Sequence, residues 1–280
     1  MKIARVFPRK TTATPHDPLT FFTVEPPRMI LPEIDEIHVS VTFTYDIEKA
    51  ERMAEHWRSV GVPVKVGGPA YGGKGGIFTP GLYHKPGYTM TSRGCHNHCW
   101  FCKVPVRQGE LIELEIKDGW DILDDNFLLN TKEHKAKVFE MLKRQPFKPE
   151  FTGGLEAKIL TPWDVQKIRE VKAKTMYFAY DTPDDYVPLV EAGKMLREGG
   201  ITFESHKAGC YVLIGYEGDT FEKATIRLLD TIKAGFVPFA MLYKDDFGNE
   251  DKVWRKFQRE WSRAEIVGAK MKVIREGMME

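Results

Sequence analysis

The sequence predicts an α/β fold, a partial (β/α)6 TIM-like barrel preceded by a small Rossmann-like βαβ domain. Two observations predict it. From residue 87 onward, apolar β-branched segments alternate with segments of helical periodicity, which is typical of parallel strands joined by right-handed helical crossovers. Before residue 87, one strand–helix–strand pattern is followed by a glycine-rich segment. We therefore predict two domains, residues 1–86 and 87–280.

Composition restricts the class of protein. The 280 residues contain 41 Lys and Arg against 40 Asp and Glu, so no overall charge favours a nucleic-acid or membrane partner. The apolar fraction of 42% is ordinary for a globular protein. No apolar run approaches the roughly 18 residues that span a bilayer, and the N-terminus lacks the apolar stretch of a secretory signal. We expect a cytoplasmic protein with no membrane partner.

The predicted N-terminal domain contains few regular elements. Residues 1–35 are rich in proline, and we expect them to be irregular. The alternating segment 36–45 predicts a strand, 46–60 predicts a helix that begins with acidic residues, and 62–67 predicts a second strand. The glycine-rich segment 67–76 lacks the Gly-Lys-Ser/Thr ending of a phosphate-binding loop, so we expect a lid or an inter-domain turn.

The predicted second domain consists of six strands that alternate with helices. Its apolar strands lack strict alternation, which favours strands buried on both faces. In an incomplete barrel of this kind, ligands bind at the C-terminal ends of the strands. The predicted strands are 88–92, 120–125, 151–160, 174–181, 208–216 and 236–243, and the predicted helices are 132–145, 163–173, 185–200, 220–235 and 251–271.

A cluster of cysteines directly follows the first of these strands. The segment SRGCHNHCWFCK places Cys95, Cys99 and Cys102 within eight residues. In a reducing compartment such a cluster indicates metal binding or catalysis. A structural zinc ion needs four ligands, which His96 or His98 would have to complete. An iron–sulfur cluster held by three thiolates would instead leave one iron open for another ligand.

The pattern Cys95-x3-Cys99-x-Phe101-Cys102 resembles the signature of the radical S-adenosylmethionine (radical SAM) superfamily. The resemblance covers about residues 88–245, and the chain is similar to compact radical SAM proteins of phage and bacterial genomes. It implies that the three cysteines bind a [4Fe–4S] cluster and that SAM chelates the fourth iron. Reductive cleavage of SAM would then yield a 5′-deoxyadenosyl radical that abstracts hydrogen from a substrate. The resemblance also implies an external electron donor of the flavodoxin or ferredoxin type. It further implies that Phe101 lies beside the adenine of SAM.

The segment ILDDNFLLN lies at the end of the second predicted strand of the barrel. There the family usually has a Gly-Gly-Glu motif that binds the amino group of SAM. This chain has Asp124, Asp125 and Asn126 instead, as in cobalamin-associated and methylthiotransferase-like branches. By resemblance these three residues are candidates for binding the cofactor.

The segment YVLIGYEGDT resembles the fifth-strand pattern of the family. The resemblance places the backbone of Ile214 and Gly215 near the adenine. It also assigns the ribose or carboxylate of SAM to two residues of the third strand and the ribose hydroxyls to two residues at the end of the fourth. These further cofactor-binding candidates are Glu156, Lys158, Tyr180 and Asp181.

The N-terminal domain resembles a truncated cobalamin-binding domain. It contains no Asp-x-His-x-x-Gly motif, which supplies the lower axial histidine in many such domains. Some relatives bind cobalamin without that histidine. Cobalamin therefore remains a cofactor candidate that the missing motif disfavours.

Cys210, the fourth cysteine, lies in an apolar segment predicted to be a buried strand. A free cysteine in that setting usually behaves as a small hydrophobic residue. The alternative is a catalytic thiol, because some radical enzymes use one as hydrogen donor or methyl carrier.

The last predicted helix carries Trp254, Phe257 and Trp261 at a spacing that indicates a core-facing stripe. Its other faces are basic, which predicts either a solvated surface or a nucleic-acid contact. The basic residues are Arg255, Lys256, Arg259 and Arg263.

Three functions remain open from the sequence. The first is a radical SAM enzyme acting on a nucleotide or nucleic-acid base by methylation, methylthiolation or rearrangement. No cysteine precedes Cys95, which disfavours methylthiolation through a second cluster. The second is modification of a peptide or small metabolite, such as epimerisation or methylation. The third is a zinc-stabilised nucleic-acid-binding protein without catalytic activity.

Overall fold

The computed structural model describes residues 1–27, 33–72, 76–201 and 207–277. Part of the glycine-rich segment, residues 73–75, lies outside the described residues. The chain divides into two units. The first comprises Met1–Thr89, Cys95–Glu110 and Asp246–Gly248, and the second comprises Met90–Gly94, Leu111–Asp245 and the segment from Asn249 onward.

The first unit contains a parallel sheet. Among its described residues, four strands lie in the order β2-β1-β3-β4, and every neighbouring pair is parallel. The expectation that the first 35 residues are irregular is wrong where Ile3–Val6 forms a central strand of this sheet. The elements of this unit are β1 (Ile3–Val6), β2 (Thr20–Phe21), β3 (Glu36–Ser40), β4 (Val64–Gly67), β5 (Tyr88–Thr89), α1 (Ile47–Trp57) and α2 (Val104–Arg107).

Helix α1 forms where the sequence predicts it. Ala50, Met53, Ala54 and Trp57 follow helical spacing, and all four are buried. In β3, Ile37 and Val39 point to the same side of the sheet. They pack with the buried residues of α1 in one apolar core. Burial of such large side chains stabilises the unit by roughly 1.5–3 kcal/mol each.

The second unit contains a longer parallel sheet. Within its described residues, the five strands β8 to β12 are parallel and follow one another in chain order. A short antiparallel pair, β6 with β7, precedes them. Its strands are β6 (Ser92–Arg93), β7 (Ile112–Glu113), β8 (Asp121–Ile122), β9 (Glu150–Phe151), β10 (Thr175–Ala179), β11 (Ala208–Ile214) and β12 (Val237–Leu242).

Helices alternate with these strands, as the sequence predicts for βα units. Side chains cap the N-termini of several of these helices: Thr131, Thr161, Thr220 and Asp251 each accept a backbone N–H. The described strands do not close into a barrel. The helices are α3 (Lys132–Lys143), α4 (Pro162–Glu170), α5 (Tyr186–Glu198), α6 (Phe221–Ala234), α7 (Lys252–Ser262) and α8 (Ala264–Gly277).

Several predicted strands are shorter in the structure, among them 88–92 and 120–125, and two further elements differ in kind. The strand predicted at 151–160 ends at Phe151, because Gly153 packs against the backbone of Asp124 so closely that a Cβ would lie 2.1 Å from the carbonyl oxygen. A 3₁₀ turn, Ala157–Ile159, follows instead. The single helix predicted at 251–271 is interrupted at Arg263, whose backbone is extended, and so becomes α7 and α8.

The expectation that the strands are buried on both faces is also wrong. In β10 and β12 buried residues alternate with accessible ones, so one face of the sheet packs on helices and the other is partly open. The helix-covered face contains Phe178, Cys210 and Ala240, and the open face contains Tyr211 and Phe239. A period-2 pattern of this kind is typical of a sheet with one accessible face.

Candidate active site

The residues predicted for the site are divided between the two units. Cys95, Cys99, Phe101 and Cys102 belong to the first unit. The others belong to the second unit, where most follow the C-terminal ends of β8 to β11. They are Asp124, Asp125, Asn126, Glu156, Lys158, Tyr180, Asp181, Cys210, Ile214 and Gly215.

The cysteine loop, residues 95–110, is closed on itself. The backbone N–H of Cys95 donates to the carbonyl of Gly109 at 3.2 Å. Two of the sulfurs accept backbone N–H groups: Asn97 N lies 3.5 Å from Cys95 Sγ, and Val104 N lies 3.4 Å from Cys102 Sγ. Such N–H donors stabilise the thiolate form that a metal ligand requires.

The thiols of the loop differ in exposure. Cys99 is exposed, and Cys95 and Cys102 are half-buried. The ring of Phe101 is half-buried and meets the exposed ring of Trp100 edge-on at 5.4 Å.

The loop fits a cluster in its chemistry but not in its arrangement. Thiolates are the usual ligands of iron–sulfur clusters, four to a [4Fe–4S] cluster, and this loop supplies three thiols, two of which accept backbone N–H groups. In the described parts of the chain, however, no group of three or more His, Cys, Asp or Glu side chains comes together to hold a metal ion. Binding a cluster would therefore require the loop to bring the three sulfurs together.

Asp124 follows β8 and is fully buried. Its carboxylate accepts the backbone N–H of Thr91 at 2.6 Å, the Thr91 hydroxyl at 2.5 Å and the Ser92 hydroxyl at 2.8 Å. Burial raises the pKa of Asp124 above its ordinary value, while the bonds from Thr91 and Ser92 act in the opposite direction. Both oxygens are thus engaged by the segment that leads toward the cysteine loop.

Two further residues complete this network, and neither was singled out from the sequence. Asn130 Nδ2 donates to Ser92 Oγ at 2.9 Å, and His134 Nε2 donates to the Thr91 carbonyl at 3.0 Å. His134 lies on the buried side of α3. A histidine at a core-facing helix position is the sequence signal that would have indicated a buried polar partner.

Asp125 and Asn126 continue the turn after β8. Asp125 Oδ2 accepts the N–H of Gly94 at 2.9 Å, and Gly94 immediately precedes Cys95 in the chain. Asn126 Nδ2 donates to Glu156 Oε2 at 2.7 Å. The turns after β8 and β9 are therefore joined by two residues that the sequence assigns to the cofactor.

Lys158 and Asp181 meet around a shared carboxylate, that of Asp185. Lys158 Nζ lies 3.3 Å from Asp185 Oδ1, and the N–H of Asp181 donates to Asp185 Oδ2 at 3.1 Å. Asp181 Oδ1 in turn accepts the N–H of Leu213 at 2.9 Å. Burial raises the pKa of Asp181 to about 7, and nearby Asp185 contributes in the same direction. A carboxyl group that titrates near neutrality is suited to proton transfer.

The end of β11 is held by a buried ion pair. Arg227 Nη2 lies 2.8 Å from Asp219 Oδ2 and 2.9 Å from the Leu213 carbonyl. Asp219 Oδ2 also accepts the N–H of Gly215 at 2.9 Å. Gly215 has φ +74°, and a Cβ on it would lie 2.9 Å from the Trp254 ring. The Ile214–Gly215 turn is thus fixed from two sides and closely covered.

Sequence reasoning missed Arg227 and Asp219. The available signal was the position of Arg227 on the buried stripe of α6, with Ala224, Leu228 and Thr231. A cation on a core-facing stripe requires a buried anionic partner.

Tyr180 and Cys210 face the packed interior. Tyr180 is buried, its ring stacks on Tyr186 at 5.8 Å, and burial raises the pKa of its hydroxyl. Cys210 is fully buried, and burial raises the pKa of its thiol well above the ordinary value. A protonated, inaccessible thiol fits a small core residue better than a catalytic group.

The open face of the sheet carries aromatic side chains. Tyr177 and Tyr211 stack at 4.5 Å with 9° between their planes, and Phe239 meets Tyr211 edge-on at 5.8 Å. Gly209 makes this possible, because a Cβ there would lie 2.6 Å from the Tyr177 ring. This face offers planar, partly accessible rings next to the edge that bears the polar residues.

No family model matches this sequence, and no curated protein matches it.

In the ranges that the structure describes, no helix combines the length and apolar character needed to cross a membrane.

Proposed function

We propose that the protein is a radical SAM enzyme. The observation that supports this best is the loop Cys95-x3-Cys99-x-Phe101-Cys102, in which two sulfurs accept backbone N–H groups. In this proposal the sheet of the second unit is the partial (β/α)6 barrel of that superfamily. The cluster and SAM, when bound, supply one-electron cleavage of SAM, fed by a flavodoxin- or ferredoxin-type donor.

The residues of the chain would bind the cluster and SAM and hold them in position. Cys95, Cys99 and Cys102 would hold the [4Fe–4S] cluster. We reassign Asp124 from ligand binding to positioning, because both its oxygens already accept bonds from Thr91 and Ser92.

The polar edge of the sheet would bind SAM. Asp125 and Glu156 supply half-buried carboxylates suited to the amino group. The pinned Ile214–Gly215 turn supplies backbone groups for the adenine. Asp181, which holds the adjacent Leu213, remains the candidate for the ribose hydroxyls.

For the substrate we propose a nucleotide or a nucleic-acid base. The partly accessible rings of Tyr177, Tyr211 and Phe239 on the open sheet face support this proposal, because aromatic side chains stack on planar bases. Peptide or small-metabolite modification is the alternative. A cobalamin requirement stays a weaker proposal, since the sequence has no axial-histidine motif.

Anaerobic reconstitution with iron and sulfide tests the central proposal. The wild type should bind iron and acid-labile sulfide, and should release 5′-deoxyadenosine when reduced with dithionite in the presence of SAM. Cys95→Ala, Cys99→Ala and Cys102→Ala should lose both properties. Cys210→Ala is the matched control, because that thiol is buried in the other unit, and it should retain both.

Other outcomes decide between the functions. Zinc bound without sulfide would overturn the proposal in favour of a zinc-stabilised nucleic-acid-binding protein. Deuterium transfer into 5′-deoxyadenosine from deuterated nucleotides, but not from deuterated amino acids, would support the nucleotide substrate. The reverse pattern would support the peptide alternative.

A further inference from the structure

Helix α7 has one face committed to the core of its own unit. Trp261 is buried, and Trp254 and Phe257 pack against the same apolar cluster. Phe221, at the start of α6, contacts both of these rings, with centroids 4.4 Å from that of Trp254 and 5.2 Å from that of Phe257. Gln258 adds a hydrogen bond from Nε2 to the Ala240 carbonyl of β12 at 3.1 Å. The aromatic side of the helix is therefore used in packing, whereas Val253 is exposed.

The opposite face of α7 is a stripe of cations. Lys252, Lys256, Arg259 and the C-capping Arg263 follow at i, i+4, i+7 and i+11, a spacing that places them on one side of a helix. All four are exposed. At 1.5 Å per residue the stripe is about 16 Å long. We call these four residues the basic stripe.

The cations of the basic stripe differ from the lysines of the other helices of this unit in their ion pairing. Lysines on α3, α4, α5 and α6 pair with acids three or four residues away on the same helix. Among the described residues, none of the four cations of the basic stripe forms an ion pair. Arg255, beside the stripe, does pair with Glu250, and Glu260 flanks it as its acidic neighbour.

We propose that the basic stripe binds the phosphodiester backbone of a nucleic acid. Regularly spaced, uncompensated cations match the regularly spaced anions of that backbone. A membrane surface fits less well, because an interfacial helix inserts an apolar face, whereas the aromatic side chains of α7 pack against the core of their own unit. Backbone binding does not depend on a bound cluster, so this inference can fail while the proposed function holds, and the reverse.

Fluorescence anisotropy with a labelled single-stranded oligonucleotide of mixed sequence tests the inference on the full-length protein. Four contacts predict that log Kobs falls with log[salt] with a slope of about −3, measured between about 50 and about 200 mM KCl. The double variant Lys256→Glu/Arg259→Glu should bind at least about tenfold more weakly, with a slope shallower by about 1.4.

The matched control is Lys148→Glu/Lys172→Glu, which makes the same charge change at two exposed loop lysines of the same unit. The affinity of this control for the oligonucleotide should stay within about twofold of that of the wild type, because the basic stripe is unchanged and still contacts the phosphodiester backbone. Circular dichroism verifies folding, and Lys256→Gln/Arg259→Gln replaces the charge reversal if that variant is unfolded.

Three results would overturn the inference. The first is no binding at the lowest salt concentration. The second is equal weakening by both double variants, which would indicate net charge alone. The third is stripe-dependent binding to vesicles of equal phosphatidylcholine and phosphatidylserine with no stripe-dependent binding to the oligonucleotide.

Discussion

Thr91 donates both its backbone N–H and its hydroxyl to the carboxylate of Asp124, at 2.6 Å and 2.5 Å. Thr91 and Ser92 have no exposed surface, so these bonds form without competition from water. A single buried carboxylate thus fixes the chain just before the cysteine loop.

We expect Asp124→Ala to lower the free energy of unfolding by about 3 kcal/mol, because it leaves several buried donors without an acceptor. Urea denaturation measures the loss. Asp118→Ala is the control, since Asp118 is exposed and accepts one bond, from Gln145. It should change stability by no more than about 0.5 kcal/mol. Equal losses in the two variants would contradict the positioning role of Asp124.

Comparing alanine substitutions at Gly215 and Gly218 distinguishes backbone strain from steric overlap of the added Cβ. Both have positive φ, +74° and +79°, but a Cβ on Gly215 would lie 2.8 Å from Leu242 and 2.9 Å from Trp254, whereas one on Gly218 would meet nothing within 4 Å. Gly218→Ala should cost about 1–2 kcal/mol of stability from backbone strain alone.

Gly215→Ala should cost more than Gly218→Ala and should also weaken SAM binding, because it displaces the turn proposed to meet the adenine. Denaturation and anaerobic titration calorimetry with SAM measure the two effects. Unchanged SAM affinity in a folded Gly215→Ala protein would remove this turn from the proposed cofactor site.

Helices α3 to α6 of the second unit could be predicted from sequence, because apolar periodicity and capping residues are local signals. The threonine that caps α6 and Gly235 that ends it both stand in the sequence at the predicted limits. The prediction of a strand at 151–160 failed because Gly153 and Gly154 pack against the backbone of the turn that follows β8. That close approach is a tertiary contact, which no local pattern contains.

The candidate site was only partly predictable for the same reason. The candidates after β8 and β10 and at the end of β11 were named from a resemblance to a known family, and not from a local pattern. Glu156 and Lys158 were expected within the strand at 151–160, but they follow β9. The hydrogen bonds from Thr91 to Asp124 and from Arg227 to Asp219 depend on the tertiary packing of separate elements. Strand β1 was not predicted because it lies in a proline-rich segment. Whether the three cysteines bind a cluster stays a prediction.

We expect Arg227→Gln to destabilise the protein by about 3–5 kcal/mol, because it leaves Asp219 as a buried charge without its cationic partner. Asp219 has no exposed side-chain surface and Arg227 has little. Lys233→Gln on the same helix is the matched control: its pair with Asp230 is half exposed, and its loss should cost no more than about 1 kcal/mol. Similar midpoints and slopes in urea for the two variants would contradict a structural role for the buried pair.

Asp181 gives the protein a pH-dependent stability that one substitution should remove. Burial raises its pKa from 3.8 to about 7. Between these values the folded chain keeps the proton and the unfolded chain loses it, so this carboxyl lowers stability as pH rises from about 4 to about 7.

Asp181→Asn keeps an acceptor oxygen for the Leu213 N–H but does not titrate. The free energy of unfolding of this variant, minus that of the wild type, should therefore rise across the window by up to about 1.4 kcal/mol per pH unit and level off above it. Urea denaturation in steps from acid to mildly alkaline pH measures the difference, with exposed Asp184→Asn as control. A difference that stays flat for Asp181→Asn would mean that Asp181 titrates at its ordinary pKa and has no proton to offer near neutrality.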